Sequence, residues 1–312
     1  MSFVLIIIGF ILLVKCADWF VEGSSNIAKA LRIPALIVGL TIVALGTSAP
    51  EAAVSITASI KGMNDISLGN VVGSNISNLL LVLGISGLFG TLTAKKKVMT
   101  RDFRFLIFSS VVLLILTFVF YASGEATGII TRINGLMLLG FLILYLYVLI
   151  GDTIKSINKT EEKTNFKFKD IILIVVGLIG IIIGGQLVVN SATDIANMFN
   201  ISERIIGLTI VAIGTSLPEI VTSIVAVKKG ESDIAIGNVV GSNIFNILFV
   251  LGLSSAISPI NFDIKAFLDV FVMLFASVVV YFVLRKHNRV DKKRSLILLL
   301  MYALYMVYIL IR

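Results

Sequence analysis

The stretch "VGLTIVALGTSAPEAAVSI" at residues 38–56 recurs as "IGLTIVAIGTSLPEIVTSI" at residues 206–224, with 13 of 19 positions identical. A second pair, "SLGNVVGSNISNLLLVLG" at 67–84 and "AIGNVVGSNIFNILFVLG" at 235–252, has 13 of 18 positions identical. Both pairs are separated by the same offset of 168 residues, so the spacing between the motifs is repeated as well. The chain is therefore two copies of one unit, and this duplication decides the architecture.

The composition indicates an integral membrane protein. Hydrophobic residues make up 58% of the 312 positions, charged residues only 14%, and the mean hydropathy is +1.06. Soluble domains are nearer half apolar and a quarter charged. A bilayer is crossed by about 20 apolar residues in a helix. On that criterion we predict ten spans, at approximately 3–22, 34–60, 66–90, 104–122, 130–150, 170–199, 203–227, 233–257, 265–284 and 294–311.

Each copy holds five predicted spans, so the second copy enters the membrane from the opposite side to the first. Inverted repeats of this kind are typical of secondary transporters. The expected fold is all-α, with ten transmembrane helices in two inverted five-helix repeats. The expected organisation is a first repeat at 1–153, a polar cytoplasmic linker at 154–169 and a second repeat at 170–312. A duplication kept only for structural symmetry is the alternative, but the identical positions cluster around polar residues.

The basic residues predict the orientation of the chain. The net charge is +8, and 20 of the 26 Lys and Arg residues fall in connections that share one side if the N-terminus is outside. The positive-inside rule then puts both termini outside the cytoplasmic membrane. The excess charge therefore reflects insertion into a lipid bilayer and excludes a nucleic-acid partner as its cause. No motif indicates an obligate protein partner. The N-terminus lacks a basic region and a cleavage site, so the first helix is expected to be retained.

Two glutamates stand out because they lie near the middle of predicted spans. Glu51 and Glu219 are symmetry mates, and neither flanking motif contains a lysine or arginine. A charged side chain at that depth costs at least a few kcal/mol unless something compensates it. We therefore expect a cation or protons to neutralise the pair.

Prolines precede both glutamates, at Pro50 and Pro218. A proline inside a helix removes one backbone hydrogen bond, so nearby carbonyls are expected to lack donors, namely those of Ala44, Thr47, Ala212 and Thr215. In a membrane such groups are tolerated where they line a cavity or find another partner. The alternative is a simple kink in which Ser or Thr hydroxyls satisfy the backbone.

Helical spacing gathers further oxygens beside each glutamate. Positions three and four residues apart share a helix face. The expected ligands on these faces are Thr47 and Ser48, Thr215 and Ser216, Ser74 and Asn78, and Ser242 and Asn246. The "GNVVG" segments at 69–73 and 237–241 permit close helix contact, and we expect helix 3 against helix 2 and helix 8 against helix 7. The alternative role for the Ser and Asn residues is hydrogen bonding between helices.

The set contains only oxygen ligands, without histidine or cysteine, which argues against zinc, copper or iron. Two carboxylates among neutral oxygens suit Ca²⁺, and Mg²⁺ fits less well because it sheds water reluctantly. We expect transported ions and no cofactor. The sequence shows no nucleophile–base pair of the kind that would indicate an enzyme.

The motifs "GTSAPE", "GTSLPE" and "GNVVGSNI", in two inverted copies, resemble the alpha-repeats of the cation/calcium exchanger superfamily, in its prokaryotic sodium/calcium exchanger branch. The resemblance covers the full ten-helix plan. In the similar proton/calcium exchangers a glutamate follows "GN", and this chain has none there, which favours Na⁺ as the counter-ion.

The resemblance implies a role for each matching residue. Glu51 and Glu219 would bind Ca²⁺ together with the backbone carbonyls of Thr47 and Thr215. Na⁺ sites would use Ala44, Ser48 and Ser74 on one side, and Ala212, Ser216 and Ser242 on the other. Asn78 and Asn246 would flank the centre. Some relatives have an aspartate at the position of Asn246, so this chain lacks a titratable group that they have.

The implied mechanism is antiport by alternating access, with helices 1 and 6 sliding over the others. Glycines 177, 180, 184 and 185 of helix 6 fit a smooth sliding surface, although lipid-facing small residues are an ordinary alternative. A proton/calcium exchanger, a K⁺-dependent exchanger and a cation channel are the competing interpretations.

Overall fold

Long apolar helices dominate the structure. The computed structural model describes residues 2–122, 127–155, 167–199 and 212–311. Within these ranges seven helices are long and apolar enough to cross a bilayer, or eight if the bent pair Ala35–Thr47 and Ala49–Ile60 is one span. The chain is thus a helical multi-pass membrane protein, as its composition predicts.

The helices follow the order that the sequence predicts, with shifted ends. The first half contains α1 (Ser2–Ala30), α2a (Ala35–Thr47), α2b (Ala49–Ile60), α3 (residues 64–89), α4 (residues 98–122) and α5 (Arg132–Lys155). The second half contains α6 (Phe168–Met198), α7a (Ala212–Thr215), α7b (Leu217–Lys228), α8 (residues 232–257), α9 (Ile264–His287) and α10 (Lys292–Ile311). The start of the predicted span at 203–227, and most of the predicted linker, lie outside the described residues.

Burial places α3 and α8 at the centre of the molecule. The apolar window of α3 is 83% buried and that of α8 is 94% buried, whereas that of α10 is only 17% buried. The remaining candidate spans, α1, α5, α6 and α9, are about one third buried. Among these seven candidate spans, α3 and α8 alone are enclosed by protein on most sides, which explains why their polar residues are tolerated in a membrane.

Both central helices contain a π-helical turn at matching positions. The turns are Ser77–Val82 in α3 and Asn246–Leu251 in α8. Such a turn adds one residue to the local helix and often marks a functional site. Asn78 and Asn246, both predicted to flank the ion site, lie at the beginning of these turns.

Four short strands add to the expected all-α fold. They are β1 (Leu92–Thr93), β2 (Thr127–Ile130), β3 (Ile260–Asp263) and β4 (Arg289–Val290). β1 pairs with β4 in the register Leu92↔Val290, and β2 pairs with β3 in the register Ile130↔Ile260, both antiparallel. Each pair joins one repeat to the other.

α1 and α6 pack along each other through their glycines. A Cβ atom added at Gly180 would lie 2.1 Å from the Cys16 sulfur, and one added at Gly184 would lie 2.9 Å from the Gly9 carbonyl oxygen. Gly177 likewise abuts the backbone of α1, while Gly185 meets Pro218 of α7b at an ordinary 3.8 Å. Three of the four α6 glycines therefore pair α6 with α1, rather than forming a surface that faces the other helices.

Candidate functional site

The helices that contain the two glutamates are broken, not merely kinked. The breaks fall at Ser48 (φ −84°, ψ 5°) and Ser216 (φ −85°, ψ 2°). Pro50 and Pro218 then lie in the first turn of α2b and α7b, where a missing N–H costs nothing. α2a and α2b meet at a bend of 48°. Each glutamate consequently lies at a helix N-terminus, where the helix dipole favours a negative charge.

The break changes which carbonyls lack donors. The Ser48 N–H donates to the Ala44 carbonyl oxygen at 3.0 Å, so the prediction that this carbonyl is short of a backbone donor is wrong. In the second copy the Ser216 N–H donates to the Ile213 carbonyl oxygen, at 3.1 Å.

The two copies meet at the glutamates. The Ser48 hydroxyl, one turn before Glu51, donates to Oε1 of Glu219 at 3.1 Å. Ser242 lies 3.5 Å from the same oxygen, and Ser74 lies 3.4 Å from Oε1 of Glu51. Both carboxylates are completely buried. Residues predicted from separate motifs, 168 positions apart, thus share one enclosed site.

Neither glutamate forms an ion pair with a basic residue in the part of the chain that the structure describes. Their charge is met only by hydroxyl groups and by the helix N-termini. Because protein cations are not nearby, the site can accept a cation from outside.

Several buried oxygens of the predicted ligand residues have no hydrogen-bond partner among the described residues. They are Glu51 Oε2, Glu219 Oε2, Ser216 Oγ, Asn78 Oδ1 and Asn246 Oδ1. Leaving a buried polar atom unpaired costs about 1–3 kcal/mol. The unpaired carboxylate oxygens therefore fit a bound cation, which would supply the missing partner.

The chemistry of these atoms fits Ca²⁺ or Na⁺. The described residues contain no cluster of three His, Cys, Asp or Glu side chains. Two carboxylates match the charge of one Ca²⁺, and hydroxyl and amide oxygens complete the hard ligand set that this ion prefers. The same neutral oxygens suit Na⁺.

Two asparagines that the sequence analysis did not identify as site residues, Asn70 and Asn238, form hydrogen bonds to the helices that contain the glutamates. The Asn70 amide donates to the Glu51 backbone carbonyl at 3.2 Å and to the Ser55 hydroxyl at 2.9 Å. Its symmetry mate Asn238 accepts from the Thr47 hydroxyl at 2.9 Å and donates to Ser223 at 3.1 Å. Both are the asparagine of "GNVVG", and their identity in the two copies was the available signal.

A second missed pair, Asn75 and Asn243, joins the two central helices. The Asn246 amide donates to Oδ1 of Asn75 at 3.1 Å, and the Asn75 amide lies 3.3 Å from the Asn243 carbonyl oxygen. Both Asn75 and Asn243 are completely buried. Asn246 therefore bonds across the repeats through its amide group, while its own oxygen stays unpaired.

The glycines of "GNVVG" in α8 contact a different helix from the one predicted. A Cβ atom at Gly237 would lie 2.8 Å from the Leu36 carbonyl oxygen, and one at Gly241 would lie 2.7 Å from that of Leu40. These contacts bring α8 against α2a of the other repeat, which was not predicted. The predicted packing of helix 8 against helix 7 is present as well, through the hydrogen bonds of Asn238 to Ser223 and of Ser242 to Glu219. Gly69 and Gly73 of α3 have no described atom within 4 Å.

The structure also places the remaining predicted residues. Thr215 is half-buried beside the break, and Ala212 begins α7a, with its side chain outside the described part. The Ala44 carbonyl oxygen lies 3.4 Å from the Ser242 hydroxyl, which links it to the Glu219 side of the site. Asn78 is buried at the centre with neither amide atom paired to a described residue.

Comparison with known proteins gives a consistent result. The family model described as sodium/calcium exchanger protein matches residues 1–151 and 169–311. The chain is 31% identical to the sodium/calcium exchanger MaX1 of Methanosarcina acetivorans, over 98% of this chain and 97% of that protein. It is 37% identical to the inner membrane protein YrbG of Escherichia coli, over 88% and 86%. A structure of the sodium-calcium exchanger NCX_Mj soaked with Na⁺ and Ca²⁺ matches with a TM-score of 0.82 at 30% identity, over 98% and 97%.

Proposed function

Because this chain belongs to the sodium/calcium exchanger family, whose members are cation/Ca²⁺ antiporters, we propose that it exchanges Ca²⁺ for Na⁺ across the cytoplasmic membrane. The single observation behind this proposal is the pair of completely buried glutamates, one from each repeat, beside oxygens that lack partners. The site binds Ca²⁺ or a set of Na⁺ ions at the same oxygens, so the two compete.

We assign the oxygens as the family resemblance implies. Glu51 and Glu219 bind Ca²⁺ with the Thr47 and Thr215 carbonyls. The Na⁺ sites use Ala44, Ser48 and Ser74 on one side and Ala212, Ser216 and Ser242 on the other, with Asn78 and Asn246 at the centre. The Ser48–Glu219 contact supports this arrangement, because it brings a ligand of one repeat to the carboxylate of the other.

The strand pairs support ten membrane crossings. α9 spans the membrane and connects β3 to β4, so the two sheets lie on opposite faces. α4 connects β1 to β2 and must therefore also cross. Between β2 and β3, which share a face, the number of crossings is even. α5, α6 and α8 are long enough to span, so α7 supplies the fourth crossing. Counting α2a and α2b as one span then gives two five-helix repeats of opposite orientation.

Contacts between connections agree with the orientation proposed from charge, with both termini outside and the linker cytoplasmic. The connections after α1, α3 and α7 all belong to the basic, cytoplasmic side in that orientation. Lys29 lies 3.8 Å from Glu231, and Lys95 pairs with Asp233. The Ser232 hydroxyl also donates to the Thr91 carbonyl oxygen. These contacts support the placement of the three connections on one face.

We propose transport by alternating access, which the packing of α1 and α6 as a pair supports. At the proposed cytoplasmic end, Lys229 ties the connection after α7b to α1, lying 3.0 Å from the Asp18 carboxylate and 3.6 Å from that of Glu22. We assign these contacts to a latch that closes the cytoplasmic end. Release of the latch lets the α1–α6 pair slide and expose the site to the cytoplasm.

The direction of transport follows from charge. If three Na⁺ enter for each Ca²⁺ that leaves, one net positive charge moves inward per cycle. The membrane potential contributes about 2.3 kcal/mol per charge for each 100 mV. An inside-negative potential therefore drives Ca²⁺ extrusion.

Flux measurements in proteoliposomes test the proposal. We expect ⁴⁵Ca²⁺ uptake driven by an imposed Na⁺ gradient, and not by a proton gradient or by K⁺. Uptake driven by protons, or uptake that requires K⁺, would identify the corresponding exchanger instead. Uptake without any counter-ion would identify a channel.

The glutamates are tested by the substitutions Glu51→Gln and Glu219→Gln, which remove one charge and keep the side-chain shape. Each is expected to abolish Ca²⁺ transport. Binding provides a second measurement, because a ligand at 100 times its Kd stabilises a protein by about 2.7 kcal/mol. Ca²⁺ should raise the unfolding temperature of the wild type but not of either variant. Substantial exchange by either variant would refute the assigned site.

A further inference from the structure

A cleft of about 640 Å³ lies far from the glutamate site, beside the β1–β4 sheet. Its walls come from β1, the first turns of α4 and the last turns of α9. The residues that matter for its chemistry are Lys96, Thr100, Arg104, Tyr281 and Arg285. In the proposed orientation it opens at the cytoplasmic face of the membrane.

The cleft is strongly basic. Lys96, Arg104 and Arg285 line it, and no acidic residue does. None of the three pairs with a carboxylate of the described residues. Three cations around one cavity, none with a counter-charge among the described residues, attract an anion.

Neighbouring basic residues are paired, which distinguishes the cleft from the rest of this face. Arg101 lies 2.7 Å from Asp102 and 3.1 Å from Asp152. Lys95 pairs with Asp233, and Arg294 pairs with Asp291. The nearby carboxylates are therefore engaged elsewhere, and the charge of the cleft is left for a ligand.

One of the cations is held in position by an aromatic ring. The Arg285 guanidinium donates to the Tyr281 hydroxyl at 3.3 Å and lies 5.8 Å from the centre of the same ring. A guanidinium fixed in this way binds phosphate oxygens with little loss of side-chain freedom. Thr100 lines the wall formed by α4, where its hydroxyl donates to the Lys96 carbonyl oxygen at 3.0 Å.

Exposed apolar surface adjoins the cleft on both helices. Phe108, one turn after Arg104 on α4, is 42% exposed, and Phe282, next to Tyr281 on α9, is 58% exposed. Such side chains on a membrane helix face lipid. A ligand that is anionic at one end and apolar at the other matches this combination better than a soluble anion does.

We propose that the cleft formed by Lys96, Arg104 and Arg285 binds the phosphate headgroup of an anionic phospholipid, whose acyl chains lie along the exposed faces of α4 and α9. Basic pockets between transmembrane helices at the cytoplasmic side are suited to this role. The bound lipid neutralises the three cations and joins α4 to α9 beside the β1–β4 sheet. This binding does not depend on which ions the protein transports.

Lipid retention tests the proposal on the purified full-length protein. The variant is Lys96→Gln/Arg104→Gln/Arg285→Gln. The control is Lys286→Gln/Lys292→Gln/Lys293→Gln, which removes the same charge from the same face outside the cleft. Each protein is equilibrated with phosphatidylglycerol and phosphatidylcholine, and bound lipid is counted by native mass spectrometry. The wild type and control should retain phosphatidylglycerol at least threefold more than the variant does.

A second measurement separates lipid from soluble anions and guards against misfolding. Phosphatidylglycerol should raise the unfolding temperature of the wild type and not of the single variant Arg285→Gln, and inorganic phosphate should raise neither. A Ca²⁺-induced shift shared by all the proteins shows that they are folded. Equal phosphatidylglycerol retention by variant and control would overturn the proposal. A stabilisation by inorganic phosphate equal to that by phosphatidylglycerol would overturn the lipid as occupant.

Discussion

At the scale of single residues, the site balances two negative charges with very few hydrogen bonds. Oxygen Oε1 of Glu219 lies within hydrogen-bonding distance of the Ser48 and Ser242 hydroxyls, while Oε2 of each glutamate has no described partner. A carboxylate that was satisfied by several donors would have no need of an ion. Because the protein leaves these carboxylate oxygens with few hydrogen-bond donors, a bound cation is needed to compensate their charge.

The substitution Ser48→Ala removes the hydroxyl that bridges the repeats. The Ser48 hydroxyl positions the Glu219 carboxylate for Ca²⁺, and a hydrogen bond to a charged group is worth about 1.5–3 kcal/mol, so we expect Ca²⁺ binding to weaken by up to about tenfold as that carboxylate loses its position. Calorimetric titration of the detergent-solubilised protein with Ca²⁺ measures this change.

The matched control is Ser109→Ala in α4. Its hydroxyl is buried as well, but donates to the Phe105 carbonyl oxygen of its own helix at 2.8 Å. The control should bind Ca²⁺ like the wild type. An equal loss in both variants would mean that Ser48 acts only through general stability.

The residues closest to the carboxylates could be predicted from sequence, whereas the hydrogen bonds of the asparagines beside them could not. Glu51 is identified by its charge near the middle of a predicted span, and Ser48 and Ser74 by helical spacing and by their repetition in the second copy. Asn70 and Asn238 share the repetition, but nothing in the sequence says which helix their amides reach. Hydrogen bonds between elements depend on packing, which local spacing does not encode.

At the scale of helices, close contact between the repeats depends on the glycines of α8. The carbonyl oxygen of Leu36 and the amide nitrogen of Leu40 lie within 2.9 Å of where a Gly237 Cβ would stand. Since both are backbone atoms, they cannot move aside as a flexible side chain would.

The substitution Gly237→Ala should therefore destabilise the fold. Overpacking of this kind costs about 1–3 kcal/mol, so the unfolding temperature in detergent should fall by several degrees. Gly140→Ala in α5 is the control, because its Cβ would meet no described atom within 4 Å. It should leave the temperature unchanged or raise it slightly. Similar behaviour of the two variants would contradict the packing role of Gly237.

Helix boundaries and helix partners differ in how far sequence determines them. Hydropathy locates most spans, and Pro50 and Pro218 mark the breaks at Ser48 and Ser216. The same patterns predicted that α8 packs against α7, which the structure shows, but missed the contact of the α8 glycines with α2a, because a small-residue motif states how close two helices come but not which two. The π-helical turns and short strands left no periodic signal to detect.

At the scale of the whole molecule, the proposed inverted repeat would place equivalent residues on opposite faces of the membrane. Ile60 and Lys228 are the last residues of α2b and α7b, are 168 positions apart, and are both exposed. In a Cys16→Ala background, Ile60→Cys should react with a membrane-impermeant maleimide in intact cells, and Lys228→Cys only after permeabilisation. Labelling of both in intact cells would contradict the inverted topology.

The latch makes a separate prediction about access from the cytoplasm. Exposed ion pairs contribute at most about 1 kcal/mol each, so Lys229→Gln should raise the population open to the cytoplasm a few-fold. The Ca²⁺ concentration for half-maximal transport from that side should fall by the same factor, measured in inside-out vesicles. Lys228→Gln is the control, because Lys228 contacts Phe89 of α3 and not α1. An identical shift in both variants would argue against a latch.

The strand pairs also bear on how the chain is made. Leu92 of β1 pairs with Val290 of β4, which the ribosome adds 198 positions later, so the amino-terminal half waits with an open strand edge until the protein is almost complete. α1 likewise waits for α6 to be synthesised. The newly made first half therefore lies in the bilayer without its strand and helix partners. The final helices then complete the contacts of both halves. Such a chain matures in one late step rather than half by half.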